Sequence, residues 1–117
     1  MKVKRIVVNM ATTEIYRAKV FYQDILGLQT LMDMNWIHTY GNEEQMQIQI
    51  SFMSEGGAGT PVPDISIEVD DIDYVYQKMI KRGFTIIYGP TDESWGVRRF
   101  FVKDPFDKTI NILSHSE

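Results

Sequence analysis

A chain of 117 residues with a hydrophobic fraction of 44% fits one domain that buries a real core, about 65% of its unfolded surface. Its net charge of −4 speaks against nucleic acid as a partner, since phosphate binding demands a dense basic patch, and the lack of cysteine excludes disulfide and thiolate sites. No early apolar stretch is long enough for a signal peptide or a membrane helix, so the expectation is a cytoplasmic protein without membrane contact.

In chain order, Ile6, Val8 and Met10 alternate with Arg5, Val7 and Asn9, the period of a half-buried strand. Thr12 or Thr13 then caps a helix, with Glu14 favourable in its first turn. Ile15, Ala18, Phe21, Tyr22, Ile25 and Leu26 form its apolar stripe, and Gly27 supplies the left-handed residue that ends it. Strands are predicted at 28–34, 35–41 and 45–53. Ser54 to Pro63, with three glycines and two prolines, reads as a linker.

The same order then recurs. Ile65, Ile67 and Val69 alternate with Asp64, Ser66 and Glu68. Asp70 or Asp71 caps a helix whose stripe is Ile72, Val75, Tyr76, Met79 and Ile80, and Gly83 ends it. Strands follow at 84–88, 97–103 and 109–113, with a turn at Asp104-Pro105. Gly27 and Gly83 lie nearly half a chain apart, and each precedes a large apolar residue, Leu28 and Phe84. The spacing predicts an α+β domain of two βαβββ modules, 1–53 and 64–117, joined by the linker 54–63. A doubly wound parallel sheet is excluded, because it needs a helix after nearly every strand.

Four strands carry one apolar and one mostly polar face. The polar sets are Arg5 and Asn9; Gln45, Gln47 and Gln49; Asp64, Ser66 and Glu68; and Thr109 and Asn111. A polar face meets water on an ordinary antiparallel sheet, whereas two sheets curving toward each other enclose it in a cleft.

The segments Phe21-Tyr22-Gln23-Asp24-Ile25-Leu26-Gly27-Leu28 and Ile65-Ser66-Ile67-Glu68-Val69-Asp70-Asp71-Ile72-Asp73 carry a resemblance. So do Arg82-Gly83-Phe84, Trp95-Gly96-Val97-Arg98 and Asp104-Pro105-Phe106 leading to Ile110-Asn111-Ile112. In this order and spacing the chain resembles the vicinal oxygen chelate superfamily of glyoxalases, bleomycin-resistance proteins and extradiol dioxygenases. The resemblance implies paired modules that form a cup-shaped, incomplete barrel. It also implies four metal-ligand positions, two per module, usually His, Glu or Gln. Here they fall on Arg5 or Val7, on Gln47 or Gln49, on Asp64, and on Asn111 in place of the family's Glu. Arginine donates no lone pair, and an amide is no general base. The expected branch is therefore the metal-free, bleomycin-resistance-like one, with no cofactor. A small organic molecule would bind in the cup of a homodimer. The alternatives are a lyase, isomerase or dioxygenase of the same fold with an atypical metal site, and a protein-interaction module.

Trp36, His38 and Tyr40 alternate on one strand face, as a core stripe or as pocket lining, and His38 is the one acid/base candidate inside the fold. Trp95 and Tyr88 suit stacking on a planar ligand. One of Arg98 and Arg99 must point into the cup, where it would hold a carboxylate or phosphate, or else pair with an acidic side chain. The expected ligand-binding set is Arg5, Asn9, Trp36, His38, Gln49, Asp64, Trp95, Arg99 and Asn111.

Overall fold

The computed structural model describes residues 8, 10–42 and 51–115. The predicted strand over 3–10 therefore falls largely outside the described residues, as does most of the one over 45–53, whose described end, 51–53, carries no strand. The first helical segment opens where the Thr12 hydroxyl accepts the Glu14 N–H at 3.0 Å. It runs as a 3₁₀ turn, Ile15–Arg17, and then as a π-helical stretch, Val20–Ile25. Its predicted stripe is borne out: Ala18, Phe21 and Ile25 are buried, and Tyr22 and Leu26 are half-buried.

The second helix, α1, spans Ile72–Lys81. The Asp71 carboxylate caps it by accepting the Tyr74 N–H at 3.1 Å, and Asp73 near its start and Lys78 and Lys81 near its end complement the helix dipole. Both helices end on a left-handed glycine, Gly27 (φ 74°) and Gly83 (φ 81°). The closing bonds differ by one residue. Phe84 N–H reaches back five residues to Met79 O (3.1 Å), but Leu28 N–H reaches back six, to Tyr22 O (3.0 Å). The wider π turn absorbs that extra residue.

Strands β1 (Gln29–Met34) and β2 (Ile37–Gly41) form an antiparallel pair. Strands β3 (Ile65–Glu68), β4 (Ile86–Asp92), β5 (Val97–Lys103) and β6 (Thr109–His115) form a sheet in the order β3-β6-β5-β4. β3 lies parallel to β6, and the other pairs are antiparallel. The second half is thus a complete βαβββ unit. Among the described residues the architecture is α+β, with six strands in two sheets, one α-helix and no closed barrel.

β4 corrects one expectation. The strand predicted over 84–88 spans Ile86–Asp92 and so runs through Gly89-Pro90. The register shifts between Tyr88 and Thr91, and β4 is an edge strand, where an irregularity and a missing N–H are tolerated.

The core lies on one face of the four-stranded sheet. Phe100, Val102, Ile110 and Ile112 join Ile72, Val75 and Met79 of α1 and Phe21 and Ile25 of the first helix. Fully burying each such side chain contributes about 1.5–3 kcal/mol. Phe21 packs edge-on against Phe84, with ring centroids 5.1 Å apart. Beside it, the Tyr22 hydroxyl donates to Asp104 Oδ2 at 2.8 Å, while Asp104 Oδ1 accepts the N–H groups of Phe106 (2.9 Å) and Lys108 (2.8 Å). The buried Asp104 carboxylate thus forms the predicted turn and ties it to the first helix. Burial, reinforced by the Asp104 charge, raises the Tyr22 pKa well above its ordinary 10.0.

Candidate functional site

The opposite face of the sheet carries the chemistry. β5 is buried on both faces: Phe100 and Val102 face the helices, while Val97, Arg99 and Phe101 face away from them. The cross-strand partner of Phe101 is Asn111, that of Arg99 is Leu113, and Ser66 lies beside Asn111 on β3. A sequence that is apolar on both faces of a strand gives no parity signal, which is why Arg98 and Arg99 could not be told apart. Arg98 faces the helix side and pairs with Asp73 of α1 (3.0 Å) and with Asp92 (3.3 Å). Arg99 is the inward residue.

Arg99 is 4% exposed and held on every side. Its Nε donates to Glu93 Oε1 at 3.3 Å, Nη1 to Gly56 O at 2.6 Å and Nη2 to Gly57 O at 3.2 Å. The guanidinium carbon lies 4.8 Å from the Phe101 ring centroid, 5.1 Å from Trp95 and 5.3 Å from Tyr88. Glu93 sits in the β4–β5 turn, where its N–H bonds Val97 O (2.7 Å), and its carboxylate also accepts the Tyr88 hydroxyl. Of the two roles open to an inward arginine, the structure gives the salt bridge.

The two carbonyls come from the segment expected to be a linker. It is instead a built turn: Gly56 N–H bonds Thr60 O (2.7 Å), Thr60 N–H bonds Gly57 O (2.9 Å), and the Thr60 hydroxyl donates to Gly57 O (2.7 Å). Gly57 has φ 87°, and a Cβ there would lie 2.9 Å from Trp95 Cη2 and 3.3 Å from Arg99 Nη2. The absence of a side chain lets the indole lie flat against the turn. Trp95 nonetheless keeps 52% of its surface exposed.

These groups border a cavity of about 310 Å³, at the small end of the range for small-molecule sites. Trp95, Met53 and Glu55 are its exposed members, Val97 and Leu113 add apolar wall, and Arg99 and Asn111 lie deepest. Asn111 Nδ2 donates to Ser66 Oγ at 3.1 Å, but Asn111 Oδ1, buried, has no hydrogen-bond partner among the described residues. A buried amide oxygen left unpaired costs about 1–3 kcal/mol. A larger hollow of about 590 Å³ lies by Phe84 and the Asp104 turn. Its deeper polar groups are already paired: Asp104 as above, and Lys103 on Asp107 O and Thr109 Oγ1; Arg17 bonds Glu14, and the Asp107 carboxylate points to solvent, 91% exposed. Size alone does not outweigh that, so the smaller cavity is the candidate site.

Of the expected ligand-binding set, Trp95, Arg99 and Asn111 come together here. Asp64 lies at the start of β3, where its carboxylate accepts the Thr109 N–H (2.8 Å). Trp36 sits in the β1–β2 turn, 72% exposed, and His38 on β2 pairs with Asp33 at 2.9 Å. None of these three borders the cavity. Arg5, Asn9 and Gln49, with Val7 and Gln47, lie outside the described residues. Glu93 was missed, although an acidic residue across a tight hairpin from Arg99 is the natural partner for it. Glu55 and Gly57 were missed because a glycine-rich stretch hides its own turn.

Two of the four metal-ligand positions implied by the resemblance are described. Asp64 spends an oxygen on a backbone N–H, and Asn111 turns its nitrogen to Ser66. These two do not fit a transition-metal site, which favours imidazole and free carboxylate donors. Among the described residues no three His, Asp or Glu side chains gather in one place.

The family described as Glyoxalase/Bleomycin resistance protein/Dioxygenase superfamily matches residues 4–112. TnmS3, an antibiotic-binding protein from Streptomyces sp. CB03234, shares the fold with a TM-score of 0.65 and 21% identity, over 99% of this chain and 97% of its own. TioX from Micromonospora sp. ML1 follows with 0.64 and 18%, over 96% of each chain. A lactoylglutathione lyase from Agrobacterium tumefaciens gives 0.61 and 12%, over 86% of this chain and 85% of its own. Among curated proteins, no sequence matches this chain.

Proposed function

This chain belongs to the Glyoxalase/Bleomycin resistance protein/Dioxygenase superfamily, and from that premise we propose that it is a binding protein that holds a small planar organic molecule in the Trp95 cavity without a metal. One observation carries this: a half-exposed indole lies against a buried, ion-paired guanidinium at the edge of a cavity. Such a ring is a stacking platform whose ordering cost is already met, so a ligand gains its contact area cheaply. The fold shared with an antibiotic-binding protein supports the same direction. The ligand-binding set becomes Trp95, Arg99 and Asn111, with Arg99 as the support. In the same reading two copies associate through the β1–β2 sheet. β1 is exposed along its whole length, and Leu31, Met32, Met34 and Trp36 leave apolar surface there among the described residues.

The test is a thermal-shift screen of planar aromatic compounds on protein kept in chelator, since a ligand of the folded state raises its melting temperature by mass action. The expectation is saturable stabilisation by at least one scaffold, with a melting temperature of the free protein that chelator does not lower. Stabilisation only after zinc, iron or nickel is restored would overturn the metal-free reading. No stabilisation by any compound would overturn the binding reading.

A further inference from the structure

The charges and unspent hydrogen-bonding groups at the cavity point to the chemical class of its ligand. Among the described residues two ionised side chains border it, Arg99 and Glu55. Arg99 is neutralised from behind by Glu93, and both side chains are only 5% exposed. Its three donor atoms are directed at Glu93, Gly56 O and Gly57 O, and three aromatic rings lie against the guanidinium. Three of its five N–H donors are thus committed and Glu93 already offsets its charge, so an anion entering the cavity would meet no net positive charge in this pair. Glu55 is different. It is exposed, and one of its oxygens bonds the Gly59 N–H at 3.3 Å, which leaves the other oxygen open to solvent and cavity. Counting Glu93 with the two lining groups, the described residues of the site carry one more negative charge than positive.

The indole has the same polarity. The exposed face of Trp95 presents the negative side of its quadrupole, which attracts cations. Carboxylate and indole face both ask for positive charge or N–H groups. We infer that the cavity selects a planar cation, an aromatic ring bearing a protonated amine, stacked on Trp95 with its charge toward Glu55. The inference rests on the binding reading above and departs from the expectation that the inward arginine receives a carboxylate or phosphate.

Three matched probes test it: 2-naphthylmethylamine, 2-naphthylmethanol and 2-naphthoate, a cation, a neutral molecule and an anion at neutral pH on one ring. Each is titrated into the Trp36→Phe variant, in which Trp95 is the remaining tryptophan and its fluorescence reports occupancy. The expected order is amine, alcohol, carboxylate, with about 10-fold between first and last, the combined scale of one cation–π contact and one exposed ion pair. Added salt should narrow the gap, and Glu55→Gln should shrink the advantage of the amine over the alcohol to what the cation–π contact alone supplies. Equal affinities, or a carboxylate bound most tightly, would overturn the ligand class. So would no binding by any of the three alongside a saturating hit from the thermal-shift screen. No binding here and no hit there would overturn the class together with the binding reading beneath it.

Discussion

Arg99 brings a charge to a place where only 4% of the residue meets solvent, and its neighbours make that tolerable. The planar fork serves Glu93 and two carbonyls at once, which a lysine cannot reproduce. Arg99→Ala should therefore act first on stability. It strands the Glu93 carboxylate and should cost about 3–5 kcal/mol in urea unfolding, with Arg99→Lys intermediate. A loss below about 1 kcal/mol would mean that the buried pair is worth no more than an exposed one. Tyr22 makes the second prediction at this scale. Its folded pKa is raised by burial and by Asp104, so the folded state holds its proton more tightly than the unfolded chain does. That contribution is fully present below about pH 10 and is lost as pH rises beyond it, as the unfolded chain ionises. Stability measured between pH 9 and pH 11 should therefore fall less steeply in Tyr22→Phe than in the native chain. Equal slopes would refute the coupling. (Both pH values are about one unit either side of the ordinary tyrosine value.)

Among the elements, the glycine-rich turn after Ser54 matters most for the site. Gly57→Ala adds a Cβ at φ 87°, 2.9 Å from the Trp95 ring. The strained backbone should cost about 1–3 kcal/mol, and the displaced indole should weaken ligand binding. Retained affinity with native stability would show that the turn does not position Trp95. The same turn shows where legibility ended. Glycines and prolines announce a break in regular structure, but not that two carbonyls will cap a buried arginine forty residues away in space-filling contact with a tryptophan. By contrast, α1 was legible almost to the residue, because Asp71, the apolar stripe and Gly83 all give the same answer; of the predicted stripe, Ile72, Val75 and Met79 are buried, Tyr76 is half-buried and Ile80 is exposed. The first helix was legible as a stripe but not as a π turn, since one extra residue leaves the apolar spacing nearly unchanged. β4 runs beyond the predicted end at residue 88, because edge position, which licenses the irregularity there, is a property of the sheet and not of the strand.

At the scale of the molecule, the repeat of strand, helix and three strands carried the fold, and the family match over residues 4–112 agrees with it. The site was only partly legible. Trp95, Arg99 and Asn111 converge because β4–β5 and β6 are neighbours, whereas His38 and Trp36 belong to the separate two-stranded sheet. That sheet frames the prediction for assembly: light scattering should give twice the 13.6 kDa of one chain, and Leu31→Lys should shift the mass toward one chain. A mass of one chain at micromolar concentration would contradict the two-fold reading. The central claim, that a ligand stacks on Trp95, is tested most directly by calorimetric titration of the best compound from the thermal-shift screen into the native chain and into Trp95→Ala. The account predicts saturable binding to the native chain that weakens by about 1–3 kcal/mol in the variant, the loss of an aromatic anchor. Unchanged affinity in a folded Trp95→Ala would contradict it and place the site elsewhere.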